Sequence, residues 1–111
     1  MSHHHVLIAD DESDIRTILR RLLRSEGYCV SEASDGREAL DAAQHCAVSL
    51  IVMDVMMPEM SGVEALRRLR ADPRFATLPV LFITGHAGLQ AQQWADPHRA
   101  TALLTKPLNL N

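Results

Sequence analysis

The sequence predicts an α/β fold in which a parallel sheet is covered by helices on both faces. Three observations point there. Four short apolar runs, at residues 6–9, 50–53, 80–83 and 102–105, and a weaker, mixed one at 28–33 are bounded by polar or turn-forming residues, as strands of a buried sheet are. Between them, segments carry apolar residues at helical spacing, and strands alternating with helices are joined by right-handed crossovers into a parallel sheet. Four of the runs then lead into residues with chemistry to offer: Asp10, Asp54, Thr84 and Lys106.

Taken in order, the run 6–9 leads into Asp10-Asp11-Glu12, and Ser13 is the expected cap of a first helix. Ile15, Ile18, Leu19, Leu22 and Leu23 form the apolar stripe of that helix. Asp14 in its first turn and Arg20, Arg21 and Arg24 near its end suit the helix dipole, and Gly27 fits a C-terminal cap. Residues 28–33 make a weaker strand, expected near an edge of the sheet. Asp35-Gly36 starts a second helix through about Gln44, with Ala39, Leu40 and Ala43 inward.

The run Leu50-Ile51-Val52-Met53 goes straight into Asp54 and then a loop broken by Pro58 and Gly62. Ser61 and Glu64 form an S-x-x-E capping box for a third helix marked by Val63, Leu66 and Leu69. Asp72-Pro73 ends that helix, and Pro79 precedes the fourth strand, which stops at Thr84-Gly85. A fourth helix around 89–95 is cut short by Asp96-Pro97. The fifth strand ends at Lys106-Pro107.

A chain of 111 residues is one domain by size, with an apolar content of 47% that suits a single core. Its net charge of −3 leaves no footprint for nucleic acid. No apolar run approaches the roughly 18–20 residues of a membrane span, and no signal peptide precedes the first strand, so a cytoplasmic location is expected. Cys29 and Cys46 lack metal-ligand or redox spacing and read as free packing thiols. The five methionines read as core filling, with Met57 and Met60 packing the loop after Asp54. His3-His4-His5 reads either as a metal-binding cluster or, better, as a leader or tag remnant over residues 1–5.

In a parallel sheet all strand carboxyl ends share one edge, where open α/β folds place their sites. Asp10, Asp11, Asp54, Thr84 and Lys106 should therefore converge. Clustered carboxylates repel unless a cation intervenes, and an all-oxygen site suits Mg²⁺, which commonly also holds phosphate oxygens. With Lys106 as a point charge and Thr84 as a hydroxyl donor, the set suits phosphoryl transfer. Asp54 can itself be the nucleophile. Asp10 has a rival role as a helix-start carboxylate.

The series Asp10-Asp11, Asp54-x-x-Met57-Pro58-x-Met60-x-Gly62, Thr84-Gly85 and Lys106-Pro107 resembles the receiver domain of two-component response regulators from Val6 to Pro107, so residues 6–111 are expected to form one such domain, short at its C-terminal end. The resemblance implies a flavodoxin-like, doubly wound five-stranded sheet of strand order 2-1-3-4-5. It implies that Asp54 accepts a phosphoryl group from a phosphohistidine on a sensor histidine kinase or histidine phosphotransfer protein. Asp11, Asp54 and the backbone carbonyl of Met56 would bind Mg²⁺, with Mn²⁺ as a substitute, and Asp10 would assist through water. Lys106 would pair with Asp54 and then with a phosphate oxygen, while Thr84 would swing inward to the phosphoryl group. Met56 and His86 occupy positions that tune phosphoryl lifetime in the family, and neither is expected to act as a nucleophile or strong base. The Lys106-Pro107 bond is expected to be cis, a proline feature.

Two departures stand out. Leu103 replaces the aromatic residue that many receivers carry three positions before the lysine, which leaves the loop Gly85-His86-Ala87 and the fourth helix, with Trp94, to relay a signal. The chain also stops soon after Lys106-Pro107, so the fifth helix of the family is expected to be absent or truncated, with bare apolar surface prone to self-association.

The expectation is a signalling switch rather than a turnover enzyme, with partner binding or a homodimer on the face of the fourth helix and fifth strand, and with no nucleic acid or membrane bound by this domain. One alternative is a phosphorylation-independent interaction module with the same fold. Another is a hydrolase of the haloacid dehalogenase type, disfavoured because Met56 stands where its acid/base aspartate would be.

Overall fold

Each central strand alternates its side chains between two cores, as the unbroken apolar runs require. The computed structural model describes residues 4–85 and 102–106. The described elements are β1 (His5–Ala9), α1 (Ser13–Ser25), β2 (Cys29–Ala33), α2 (Gly36–His45), β3 (Leu50–Asp54), α3 (Gly62–Arg70), a 3-10 turn (Pro73–Phe75), β4 (Val80–Thr84) and β5 (Ala102–Thr105). The strands form one parallel sheet in the order β2-β1-β3-β4-β5. This is the flavodoxin-like, doubly wound arrangement expected from the sequence, with the weaker β2 at an edge.

On one face, Leu7, Ala9, Ile51, Met53, Val80 and Phe82 pack against Ala39 and Ala43 of α2 and Ala65, Leu66 and Leu69 of α3. Met60 is buried in this core and Met57 packs against it. On the other face, Val6, Ile8, Val52 and Ile83 pack against Leu19 of α1. Strand period two thus supplies both layers from the same residues.

Helix α1 departs from its expected stripe. Leu19 is buried, and Ile15 and Leu23 flank it, so the row 15-19-23 covers the sheet. Ile18 and Leu22 stand on the next row, 47% and 38% exposed, beyond the sheet surface that one helix can cover. Cys29 is not a packing residue either: it is exposed at the start of the edge strand. β1 begins at His5, within the stretch expected to be a leader, and His5 Nε2 lies 2.6 Å from Ser31 Oγ of β2.

The helix ends follow local chemistry. Tyr28 N donates to Leu23 O and Gly27 N to Arg24 O, while Gly27 takes φ +93°, a Schellman close to α1. Asp35 caps α2 by accepting from Glu38 N. Ser61 caps α3 by accepting from Glu64 N at 3.2 Å, but the return half of the expected box is missing. The Glu64 carboxylate turns instead to Arg67 and Arg68, because charge-assisted bonds are stronger than one to a neutral backbone N–H. Asp72 accepts from Arg74 N and starts the short 3-10 turn that the sequence did not announce.

The fourth helix, Trp94, His86, Pro107 and its peptide bond, and His3 lie outside the described residues, as does everything after Lys106. No described helix is long and apolar enough to cross a membrane.

One contact fixes the loop after β3. Gly62 N donates to Val55 O at 2.9 Å, and a Cβ on Gly62 would lie 2.1 Å from the Asp54 carbonyl oxygen. Backbone cannot yield as a flexible side chain can. Gly62→Ala should therefore lower the unfolding free energy by about 1–3 kcal/mol, as overpacking does, when measured by urea denaturation. Wild-type stability in that variant would show that α3 does not approach β3 so closely.

Candidate functional site

Two strand-end residues, Asp54 and Thr84, and two residues just beyond strands, Asp10 and Lys106, build the site. Asp10 directly follows β1 and is fully buried. Its backbone N–H donates to Ala33 O, its carbonyl accepts from Arg16 Nη1 at 2.7 Å, and its Oδ1 accepts from Glu12 N at 2.8 Å. The rival role foreseen for Asp10, organising the start of a helix, is therefore filled by Oδ1. Oδ2 is left buried and without a hydrogen-bond partner among the described residues, 3.1 Å from Lys106 Nζ.

Asp54 ends β3 and is 4% exposed. Its Oδ1 accepts from Met56 N at 3.2 Å and its Oδ2 from Lys106 Nζ at 3.2 Å. Thr84 ends β4, fully buried, and its carbonyl accepts from Lys106 N at 2.7 Å, which ties the lysine to the next strand end. Asp11 is exposed beside Asp10, and Met56 projects outward at 54% exposure. Asp10, Asp11, Asp54 and Lys106 thus converge, with Thr84 at the same sheet edge. His86 and Pro107 fall outside the described residues.

Sequence reasoning missed Glu12. Its Oε1 accepts from Lys106 Nζ at 2.7 Å, the shortest of the three ion pairs the lysine makes here. Glu12 is also the N-cap of α1, in place of the expected Ser13, and makes no side-chain cap bond. Glutamate is not among the favoured caps. A third consecutive acid at a poor capping position was the available signal.

One ligand atom from each of Asp10, Asp11, Glu12 and Asp54 lies within 4.8 Å of the others. Such crowding has an electrostatic cost. Burial, and then the neighbouring Asp10 charge, push the Asp54 carboxyl up to about 6, against the opposing pull of Lys106 and the Met56 N–H. For Lys106, burial works to lower the pKa. The bond to Glu12, the close ion pair with Asp10 and the charge of Asp54 outweigh it and hold the ammonium above its ordinary value.

The raised Asp54 value sets a pH dependence. Its protonated form is favoured by the fold, so this group's contribution is fully present below about pH 4 and is lost as the pH rises through about 6. Asp54→Asn should accordingly stabilise the metal-free protein at pH 7.5 by on the order of 1–3 kcal/mol, with the gain fading toward about pH 4. Urea denaturation in a chelating buffer at both pH values measures it. Equal stability at pH 7.5 would mean that the carboxylates do not crowd one another.

The comparisons with known proteins agree with this geometry. The family model described as the response regulator receiver domain matches residues 6–111. The response regulator receiver protein CpdR of Brucella abortus is 36% identical over 106 residues, covering 95% of this chain and 86% of CpdR. The transcriptional regulatory protein PdtaR of Mycobacterium tuberculosis is 38% identical over 107 residues, but the match spans only 51% of that protein. Among solved structures, the chemotaxis response regulator CheY4 of Vibrio cholerae superposes with a TM-score of 0.91 at 35% identity, covering 97% of this chain and 90% of that one. A family match along nearly the whole chain, joined to relatives and a fold that agree with it, places the protein: it belongs to the response regulator receiver domains.

Proposed function

We propose that this domain accepts a phosphoryl group on Asp54 from a phosphohistidine of a sensor kinase or phosphotransfer protein, and that the modification switches binding to a partner or to a second copy. The observation that carries the reading is the pairing of a buried strand-end carboxylate, Asp54, with Lys106 Nζ 3.2 Å away in a cluster of further carboxylates.

The residues fit a hard divalent cation. All the donors are oxygen, the four carboxylates repel one another, and the buried Asp10 Oδ2 has no hydrogen-bond donor among the described residues. Asp11, Asp54 and the Met56 carbonyl would hold Mg²⁺, with Asp10 assisting through water. The ion would offset the repulsion between the carboxylates and the incoming phosphoryl oxygens.

The chain's own residues do the rest. An Asp54 carboxylate oxygen attacks phosphorus, a P–O bond forms, and the P–N bond to the donor imidazole breaks. The electron pair leaves with the imidazole nitrogen, which takes up a proton from solvent, so the products are an aspartyl phosphate and a free histidine. Lys106 neutralises charge on the transferring oxygens, and Thr84 supplies a hydroxyl donor to them. The added negative charge then biases a two-state element near the site. The exposed Met56 side chain offers no acid or base two residues after Asp54, which speaks against a hydrolase that turns over. The acid cluster and its lysine favour this reading over an interaction module that never carries phosphate.

Phosphoramidate, a small P–N donor, tests it by intact-protein mass. Wild type should gain one phosphoryl group only when Mg²⁺ is present, and Asp54→Asn none. Lys106→Ala should react more slowly by about tenfold or more, the loss expected when a charged transition-state contact is removed. A folded wild type that gains no mass with Mg²⁺ would overturn the reading.

A further inference from the structure

Three carboxylates hold Lys106, but they are not equivalent. Its ammonium donates hydrogen bonds to Glu12 Oε1 at 2.7 Å and to Asp54 Oδ2 at 3.2 Å, and forms an ion pair with Asp10 Oδ2 at 3.1 Å. The side chains of Asp10 and Asp54 are 0% and 6% exposed, so neither can give up a cation without leaving a buried charge uncompensated. Glu12 is 57% exposed and can turn to water. It is the partner that leaves most easily.

Local structure supports a role for this side chain outside the helix. Glu12 is the N-cap of α1 and its side chain makes no cap bond there. The position is organised from elsewhere, by Asp10 Oδ1 accepting from Glu12 N. A residue poorly suited to capping stands at the helix start while its carboxylate reaches across to a residue 94 positions away. Such conflicts between local and global preference concentrate at functional positions.

We propose that Glu12 is a positioning residue that latches Lys106 in the resting state, and that the lysine exchanges Glu12 for a phosphoryl oxygen as Asp54 is modified. The proposal rests on Asp54 being the phosphoryl acceptor. The latch shares the ammonium among three carboxylates, so its release is part of the barrier to phosphoryl transfer. It also gives the resting site a fixed lysine geometry that does not depend on ligand.

Two variants separate a latch from a simple charge effect. Glu12→Gln removes the charge as well as the strong acceptor, and would also ease the approach of an anionic donor. Glu12→Asp keeps the charge but is one methylene shorter, and aspartate is a favoured N-cap that would fold back onto α1. The test compares phosphorylation rates with phosphoramidate at saturating Mg²⁺, alongside the ¹H–¹⁵N signal of the Lys106 ammonium without donor. Both variants should react about three- to tenfold faster than wild type, the range that one net hydrogen bond is worth. In both, the Lys106 signal should move or lose its protection from exchange.

Acceleration by Glu12→Gln alone would reduce Glu12 to a surface charge and overturn the latch. So would an unmoved Lys106 signal, or a moved signal with unchanged rates. If wild type takes up no phosphoryl group at all, the reading of Asp54 fails first and the latch falls with it, an outcome distinct from the others because it is visible without any Glu12 variant.

Discussion

The Lys106 ammonium lies within 3.2 Å of carboxylate oxygens from Asp10, Glu12 and Asp54, and the carboxyl edge of the sheet is arranged around it. Without a cation there, two buried carboxylates would face one another in a poorly solvated cleft, and one would have to take up a proton. With it, Asp54 keeps a carboxylate available to react. The balance is incomplete, since Asp54 still sits well above an ordinary aspartate. A divalent ion would complete it. The same residual strain makes the resting site receptive to a change of charge.

Backbone geometry delivers that arrangement. The parallel sheet puts the ends of β1, β3 and β4 on one edge, and Lys106 N donating to Thr84 O holds the start of the last described loop against β4. Gly62 lets α3 approach the Asp54 carbonyl, and Gly36 N donates to Met60 O across the same loop. The chemistry depends on loops, but the loops are fixed by contacts that tolerate no Cβ. Two close-packed apolar cores behind the edge keep the strands in register, so the carboxylates cannot drift apart to relieve their repulsion.

Much of this was legible in the sequence for physical reasons. Strands buried on both faces read as unbroken apolar runs, so β1, β3 and β4 stood out and their last residues marked the site. Gly27, Asp35 and Ser61 obeyed capping rules that act within a few residues. What was not legible depended on where side chains go in space. Glu64 pairs with Arg67 and Arg68 rather than with its own helix start because two guanidinium groups lie within its reach. Ile18 and Leu22 belong to the helical stripe, yet the area of sheet beneath α1, which spacing does not encode, leaves them exposed. Glu12 looked like a neighbour of the acidic pair, and only the path of the Lys106 side chain from the far end of the chain reveals it as a partner.

The proposed switch depends on a covalent bond at Asp54. An aspartyl phosphate is an acyl phosphate, and borohydride reduces it to a homoserine that peptide mass spectrometry can locate. After treatment with phosphoramidate and Mg²⁺, one homoserine is expected, at position 54, and none when Mg²⁺ is withheld. A phosphoryl group found on another side chain, or a homoserine at Asp10 or Asp11 with position 54 intact, would contradict it.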